Sequence, residues 1–220
     1  MLPGAPMTTV KIDIVSDIAC PWCAIGYARL EKAMEELKEE MEFTIEWHAF
    51  ELNPDSSGNG EPILQALSRK YGRSPEEMQE NQAHMMKIAA ELGLNFSKLQ
   101  ERHTRNTFDA HRLVKWAGEQ GKQTEMKMAC FDAYFGHALN ISDVDVLADC
   151  VEAIGLDSDE AREVLASDRY ADTVREDEAR YQQAGVSAVP AYIINQKYLV
   201  SGAQEPNTLI GAFREITSES

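Results

Sequence analysis

Two cysteines, Cys20 and Cys23, stand three positions apart in the stretch SDIACPWCAIGY, with Pro21 and Trp22 between them. Thiols at that spacing suit three chemistries: half of a zinc site, an inert disulfide, or a dithiol that cycles through a disulfide. A zinc site needs four ligands, and the chain offers no second Cys-x-x-Cys pair and no closely spaced histidine pair. The metal reading is therefore the poorest served, and no metal is expected. The chain has four cysteines, Cys20, Cys23, Cys130 and Cys150, far too few for a disulfide scaffold at 220 residues. Cys130 and Cys150 lie in helical segments among apolar neighbours and read as core packing, with a regulatory bond between them left open.

The elements around the pair decide what it can do. Residues 9–18, TVKIDIVSDI, alternate apolar and polar with β-branched side chains and read as a strand. From Pro21 the apolar residues recur at helical spacing, with proline in the first turn where a missing N–H costs nothing. Cys20 then sits at a helix N-terminus, where unpaired N–H groups and the helix dipole favour an anion. Its thiol is expected to ionise readily and act as the nucleophile, while Cys23, one turn on, resolves the mixed disulfide. Pro21 stiffens the loop, and Trp22 offers partners a flat apolar surface.

Residues 42–52 read as a second strand, and NPDSSGNGEP as a loop. Residues 63–184 stay helical without a fixed repeat period. Tyr192–Ile194 and Tyr198–Ser201 read as strands around a tight Asn195–Gln196 turn, with a closing helix from Glu205 or Pro206. The order is strand–helix–strand, helical block, strand–strand–helix: an α/β, thioredoxin-type arrangement if the helical block is an insertion. The expected units are 9–60 and 185–218 for the two parts of the thioredoxin fold and 61–184 for the helical insertion.

Composition narrows the partners. The net charge is −16 with 44% hydrophobic residues. A chain so acidic suits neither nucleic acid nor an anionic membrane surface. MLPGAPMTTV has neither a basic start nor an apolar run, so the expected compartment is the cytoplasm, a reducing place that disfavours an inert disulfide. The methionines, Met85, Met86, Met126 and Met128 among them, could line an adaptable binding or chaperone surface. At helical spacing they read better as core.

Four stretches together resemble the DsbA-like branch of the thioredoxin superfamily: SDIACPWCAIG, WHAFELNPD, NTFDAHRLVKWA and AGVSAVPAYIINQKYLVSGAQ. More narrowly they are similar to the FrnE-like group, kin to 2-hydroxychromene-2-carboxylate isomerases and kappa-class glutathione transferases. The resemblance spans about Val10 to Ile216 and implies a thioredoxin fold interrupted by an all-helical insertion, with the active site in the groove between them. It implies a thiol–disulfide oxidoreductase with Cys20 as nucleophile, Cys23 as resolving thiol, and substrate contacts from Pro21, Trp22, Val189 and a cis Pro190. Asn106, His111, Arg112 and Gln204 become candidates for the groove. Disulfide-containing proteins or small thiols are the expected partners, with no bound cofactor and glutathione as a conceivable thiol co-substrate; the chain would be a monomer or homodimer. The alternative implied by the same kinship is a glutathione-dependent isomerase or transferase. Those relatives typically carry serine where this chain has Cys20, and an acidic residue after the last strand's glycine, where this chain reads Gly202–Ala203–Gln204.

Overall fold

The computed structural model describes residues 7–56 and 60–218. The MLPGAP start therefore lies outside the described residues, as do three positions of the loop read at 53–62. Strand β1 (Thr8–Ser16) leads through a short turn into helix α1 (Pro21–Leu37), which returns to strand β2 (Met41–Ala49), parallel to β1. Strands β3 (Ala191–Ile194) and β4 (Tyr198–Ser201) complete a four-stranded sheet in the order β2-β1-β3-β4, both new pairings antiparallel. Helix α9 (Pro206–Ser218) follows and packs against α1. The connection between β3 and β4 runs over Asn195–Lys197, one residue longer than the expected turn. Asn195 and Gln196 both take left-handed backbone there, at φ 51° and 58°.

Both faces of β1 are covered. Val10, Ile12 and Ile14 join the main core with Leu30, Leu209 and Phe213 of α1 and α9. Val15 belongs to a second cluster with Phe50, Tyr181 and Ala191. Alternation alone would put Asp13 on a wet face, yet it is buried, because helix α8 (Ala171–Gln183) packs over that side. Its carboxylate bonds His48 Nε2 at 3.1 Å, and His48 Nδ1 meets Asp177 of α8 at 3.1 Å. Asp13, His48 and Asp177 are thus partnered with one another, as a buried network requires.

Between β2 and β3 the chain forms α2 (Ile63–Tyr71), α3 (Pro75–Glu91), α4 (Phe108–Glu119), α5 (Gln123–Phe131), α6 (Val144–Ala153), α7 (Ser158–Leu165) and α8. A π-helical turn over Asp132–Gly136 extends α5. The sequence from Asp159 to Gly185 reads as continuous helix, but it breaks between α7 and α8 with Tyr170 at φ 63°. Arg112 accounts for the break: its guanidinium donates to the carbonyls of Val164, Ser167 and Arg169, which a continuous helix would use internally.

Candidate active site

The turn between β1 and α1 is built by Asp17. Its carboxylate accepts the N–H of Ala19 at 3.1 Å and of Leu52 at 2.7 Å. Both strands therefore end earlier than expected: the Leu52 N–H is spent on Asp17, so β2 stops at Ala49 and β1 at Ser16. Cys20 becomes the N-cap residue of α1 in extended backbone, with Pro21 in the first turn. No side chain caps this end of α1. The orphan N–H groups and the dipole are therefore directed at the Cys20 sulfur.

Cys23 donates its thiol hydrogen bond to Cys20 and, with backbone N–H groups, holds the Cys20 thiol below the ordinary thiol value despite burial. Cys23 itself is pushed up, first by burial and then by Cys20. The Cys20 Sγ lies 3.7 Å from the carbonyl oxygen of Val189, whose peptide bond to Pro190 is cis. The Pro190 carbonyl is fixed by the Gly202 N–H at 2.8 Å. Gly26 allows α1 to lie this close: a Cβ there would stand 2.3 Å from Tyr192 Oη and 3.1 Å from Pro190 Cγ. Trp22 is 38% exposed beside Cys20, whereas Cys23 is closed off from solvent.

Three buried ionisable groups lie behind the pair. Burial pushes the Asp17 carboxyl up, but His111 and the N–H groups of Leu52 and Ala19 outweigh it and keep it low. His111 Nε2 stands 3.5 Å from Asp17 Oδ1, too far for a strong hydrogen bond, and burial with Lys127 nearby favours the neutral imidazole. Lys127, on α5, is fully buried; its Nζ lies 3.5 Å from the Ser16 carbonyl and 5.4 Å from the Trp47 ring centre. Burial brings the lysine down to about 8, against the opposing pull of Cys23 and Asp17.

A cavity of about 1150 Å³ opens beside Cys20, walled by Pro21 and Trp22 on one side and by α2, α3 and the segment 102–105 on the other. The candidates from the helical motif divide. His111 reaches Asp17 behind the dithiol. Asn106, Arg112 and Gln204, expected in the groove, do not line the cavity. Asn106 accepts the Phe108 N–H in the turn that leads into α4, whose N-cap is Thr107, and donates to Glu51 and to the Pro54 carbonyl. Arg112 is spent on the α7–α8 connection. Gln204 donates to the Ser201 carbonyl at 2.7 Å. In each case nearby backbone groups claim the polar group first.

Asp17, Lys127 and Arg102 were not singled out from sequence. For Lys127 a signal existed: it shares a helical stripe with Met126, Cys130, Phe131 and Tyr134, where a lysine breaks the apolar pattern. Asp17 gave none beyond preceding the cysteine pair. Arg102 sits in the irregular chain between α3 and α4, where no periodicity predicts burial.

Comparison with known proteins places this geometry in context. Residues 11–214 match the model of the DSBA-like thioredoxin domain. The uncharacterized protein YwbO of Bacillus subtilis (strain 168) is 29% identical over 199 residues, covering 89% of this chain and 92% of that protein. Among solved structures, the probable DsbA oxidoreductase SCO1869 from Streptomyces coelicolor superposes with a TM-score of 0.91 at 34% identity, over 96% of this chain and 91% of that one. A 2-hydroxychromene-2-carboxylate isomerase has the same fold at TM-score 0.72 and 17% identity, over 95% and 97% of the two chains. This set of neighbours is consistent with the FrnE-like group.

Proposed function

Because the chain belongs to the DSBA-like thioredoxin domain family, we propose that it is a thiol–disulfide oxidoreductase that exchanges disulfides with protein or low-molecular-weight thiol partners through Cys20 and Cys23. One observation carries the reading: Cys20, at an uncapped helix N-terminus, faces the Val189 carbonyl beside a substrate-sized cavity. The division of labour follows the fold: residues 9–60 and 185–218 hold the dithiol and the cis proline, and 61–184 supply the far wall of the cavity and the buried His111 and Lys127 behind the pair. The setting is the cytoplasm, where the dithiol rests reduced and works as a reductase or isomerase.

The Cys20 thiolate attacks one sulfur of a substrate disulfide, forming a Cys20–substrate bond and expelling the other half as a thiolate. Cys23 then loses its proton and attacks the Cys20 sulfur. The second half of the substrate leaves as a thiolate, and two electrons have passed from the dithiol to the substrate. An extended substrate chain lies against the exposed backbone of Val189 and over Trp22. Lys127 is the group placed to take the Cys23 proton: it is buried, its charge is felt by Cys23, and burial makes its neutral form accessible near neutral pH. Asp17 and His111 position the turn and keep this pocket polar. Glutathione enters as a thiol co-substrate that reduces the disulfide again.

The deciding assay is reduction of a model protein disulfide with a recycling thiol. Cys20→Ser should abolish turnover, and Cys23→Ala should accumulate a mixed disulfide visible by intact mass. Turnover retained in Cys20→Ser overturns the proposal. Turnover of a small aromatic substrate with glutathione in Cys23→Ala would favour the isomerase or transferase alternative.

A further inference from the structure

The cavity beside Cys20 carries a charge opposite to that of the chain. The protein as a whole bears −16. Yet the cavity is lined by five cations, Arg69, Lys70, Arg73, Arg102 and Arg105, against two carboxylates, Asp55 and Glu61. Glu61 is already held by Arg69 at 2.7 Å. Lys70 and Arg73, exposed at the outer rim, form no ion pair with a carboxylate among the described residues.

Arg102 is the stronger sign. It is 2% exposed and has no carboxylate partner among the described residues. Its Nη1 donates to Gln82 Oε1 at 2.9 Å and to the Leu99 carbonyl. Its guanidinium lies over the rings of Tyr134 and Phe135 at 5.5 and 5.3 Å. Its Nε is buried without an acceptor. A buried cation served only by neutral acceptors and ring faces is costly, and an anion beside it removes much of that cost. Arg102 lies near enough to Cys20 for the two charges to interact.

The cavity, about 1150 Å³, exceeds the roughly 300–1,000 Å³ of usual small-ligand sites. The exposed rings of Trp22 and Tyr71 lie along it. Volume, exposed aromatics and several lining cations suit an extended chain rather than one small thiol. We propose that this cavity is the binding groove for an acidic polypeptide segment flanking the client's disulfide. Arg102 takes the carboxylate nearest the reacting sulfur, and Lys70 and Arg73 take charges farther along. The inference rests on the oxidoreductase reading above and names its substrate class.

The test mixes reduced protein with excess of four disulfides and follows conversion to the Cys20–Cys23 disulfide by acid quench and mass spectrometry. Three are symmetric disulfides of short peptides, identical except that the residues flanking cysteine are Glu, Gln or Lys; the fourth is oxidised glutathione. The Glu peptide should react about tenfold faster than the Gln peptide at low salt, and the Lys peptide slower still. The spread should shrink as salt is raised. Combining Lys70→Glu with Arg73→Glu should invert the order of the Glu and Lys peptides. Equal rates for Glu and Gln peptides in the unaltered protein, a preference that survives the double reversal, or faster reaction with oxidised glutathione than with the Glu peptide would each overturn the inference while leaving the oxidoreductase reading intact. If none of the four oxidises the dithiol, that reading fails and the inference with it.

Discussion

The molecule holds two thiol pairs, and the contrast between them shows what makes a dithiol reactive. Cys20 and Cys23 share a hydrogen bond, and so do Cys130 and Cys150, where α5 packs on α6. In each pair one thiol is held down by its partner, Cys20 by Cys23 and Cys150 by Cys130, while the other is pushed up. Mutual contact thus gives the same asymmetry twice. What differs is the surroundings. Cys20 caps a helix N-terminus beside an open cavity. Cys150 lies in the last turn of α6, where the helix dipole opposes an anion, and Cys130 lies inside α5 and its π-helical extension, away from either helix end. Cys130 is fully buried; Cys150, at 5% exposure, is as buried as Cys20 at 6%, but only Cys20 lines the cavity, and the Cys150 Sγ is turned to the Ala129 carbonyl at 3.8 Å. On the proposed function, proximity of two sulfurs is therefore not the device; the helix N-terminus and the adjoining cavity are.

The sharpest way to break this contrast is to remove one thiol from each pair. Cys20→Ser should lower disulfide turnover by on the order of a thousandfold or more, since a nucleophile has no substitute. Cys150→Ala should leave turnover within about twofold, because its ΔΔG is that of a small core change. Alkylation followed by peptide mass mapping should label Cys20 first, with a pH midpoint below that of an ordinary thiol, and Cys150 only on unfolding. Rapid labelling of Cys150 in the folded protein would erase the distinction drawn here.

Lys127 sits where it feels both pairs, interacting with Cys23, Cys20 and Cys130. In the fold it ionises near 8 rather than 10.5, so its charged form is disfavoured there. The unfolded chain binds the extra proton between those values, and stability should rise as pH climbs from about 8 to 10.5. The span corresponds to about 3 kcal/mol. Lys127→Met removes this titration. The reduced variant should be more stable than the parent at pH 7 by up to that amount, and the difference should fade above pH 8, as read by denaturant unfolding. Its mixed disulfide at Cys20 should also resolve more slowly at neutral pH. A stability difference that is constant with pH would mean that Lys127 is charged in the fold throughout.

These two predictions mark the boundary of what the sequence made legible. The placement of Cys20, Cys23, Pro21 and Trp22 was readable because it is local: a strand, a turn and a helix start lie within a dozen residues. The strand–helix–strand opening and the closing hairpin and helix were readable for the same reason. Lys127, Asp17 and Arg102 act through tertiary placement. Lys127 reaches the dithiol only because α5, more than a hundred residues along the chain, docks against the Ser16 carbonyl. Conversely, Asn106, Arg112 and Gln204 carry groups suited to a groove, yet nearby carbonyls, the Phe108 N–H and Glu51 claim them. Side-chain type alone does not reveal which partner a polar group finds first.

Gly26 offers the finest test, because it concerns what the second pair lacks: a backbone surface for substrate laid against the sulfur. Its missing Cβ lets α1 press on Pro190 and Tyr192, with 2.3 Å from an added Cβ to Tyr192 Oη. Gly26→Ala must shift α1 or the Tyr192 ring, at a cost of about 1–3 kcal/mol as an overpacked core site. Against that stands the helix preference for alanine over glycine, worth up to about 1 kcal/mol. Tyr192 Oη is buried without a partner, so Tyr192→Phe removes the clashing atom and leaves no donor unpaired. Gly26→Ala alone should lose stability and disulfide exchange together. Adding Tyr192→Phe should restore most of both, a coupling that a double-mutant cycle reads directly. If exchange stays low while stability recovers, the remaining obstacle is Pro190 at 3.1 Å, and the spacing between α1 and Pro190 rather than packing under Tyr192 sets the rate.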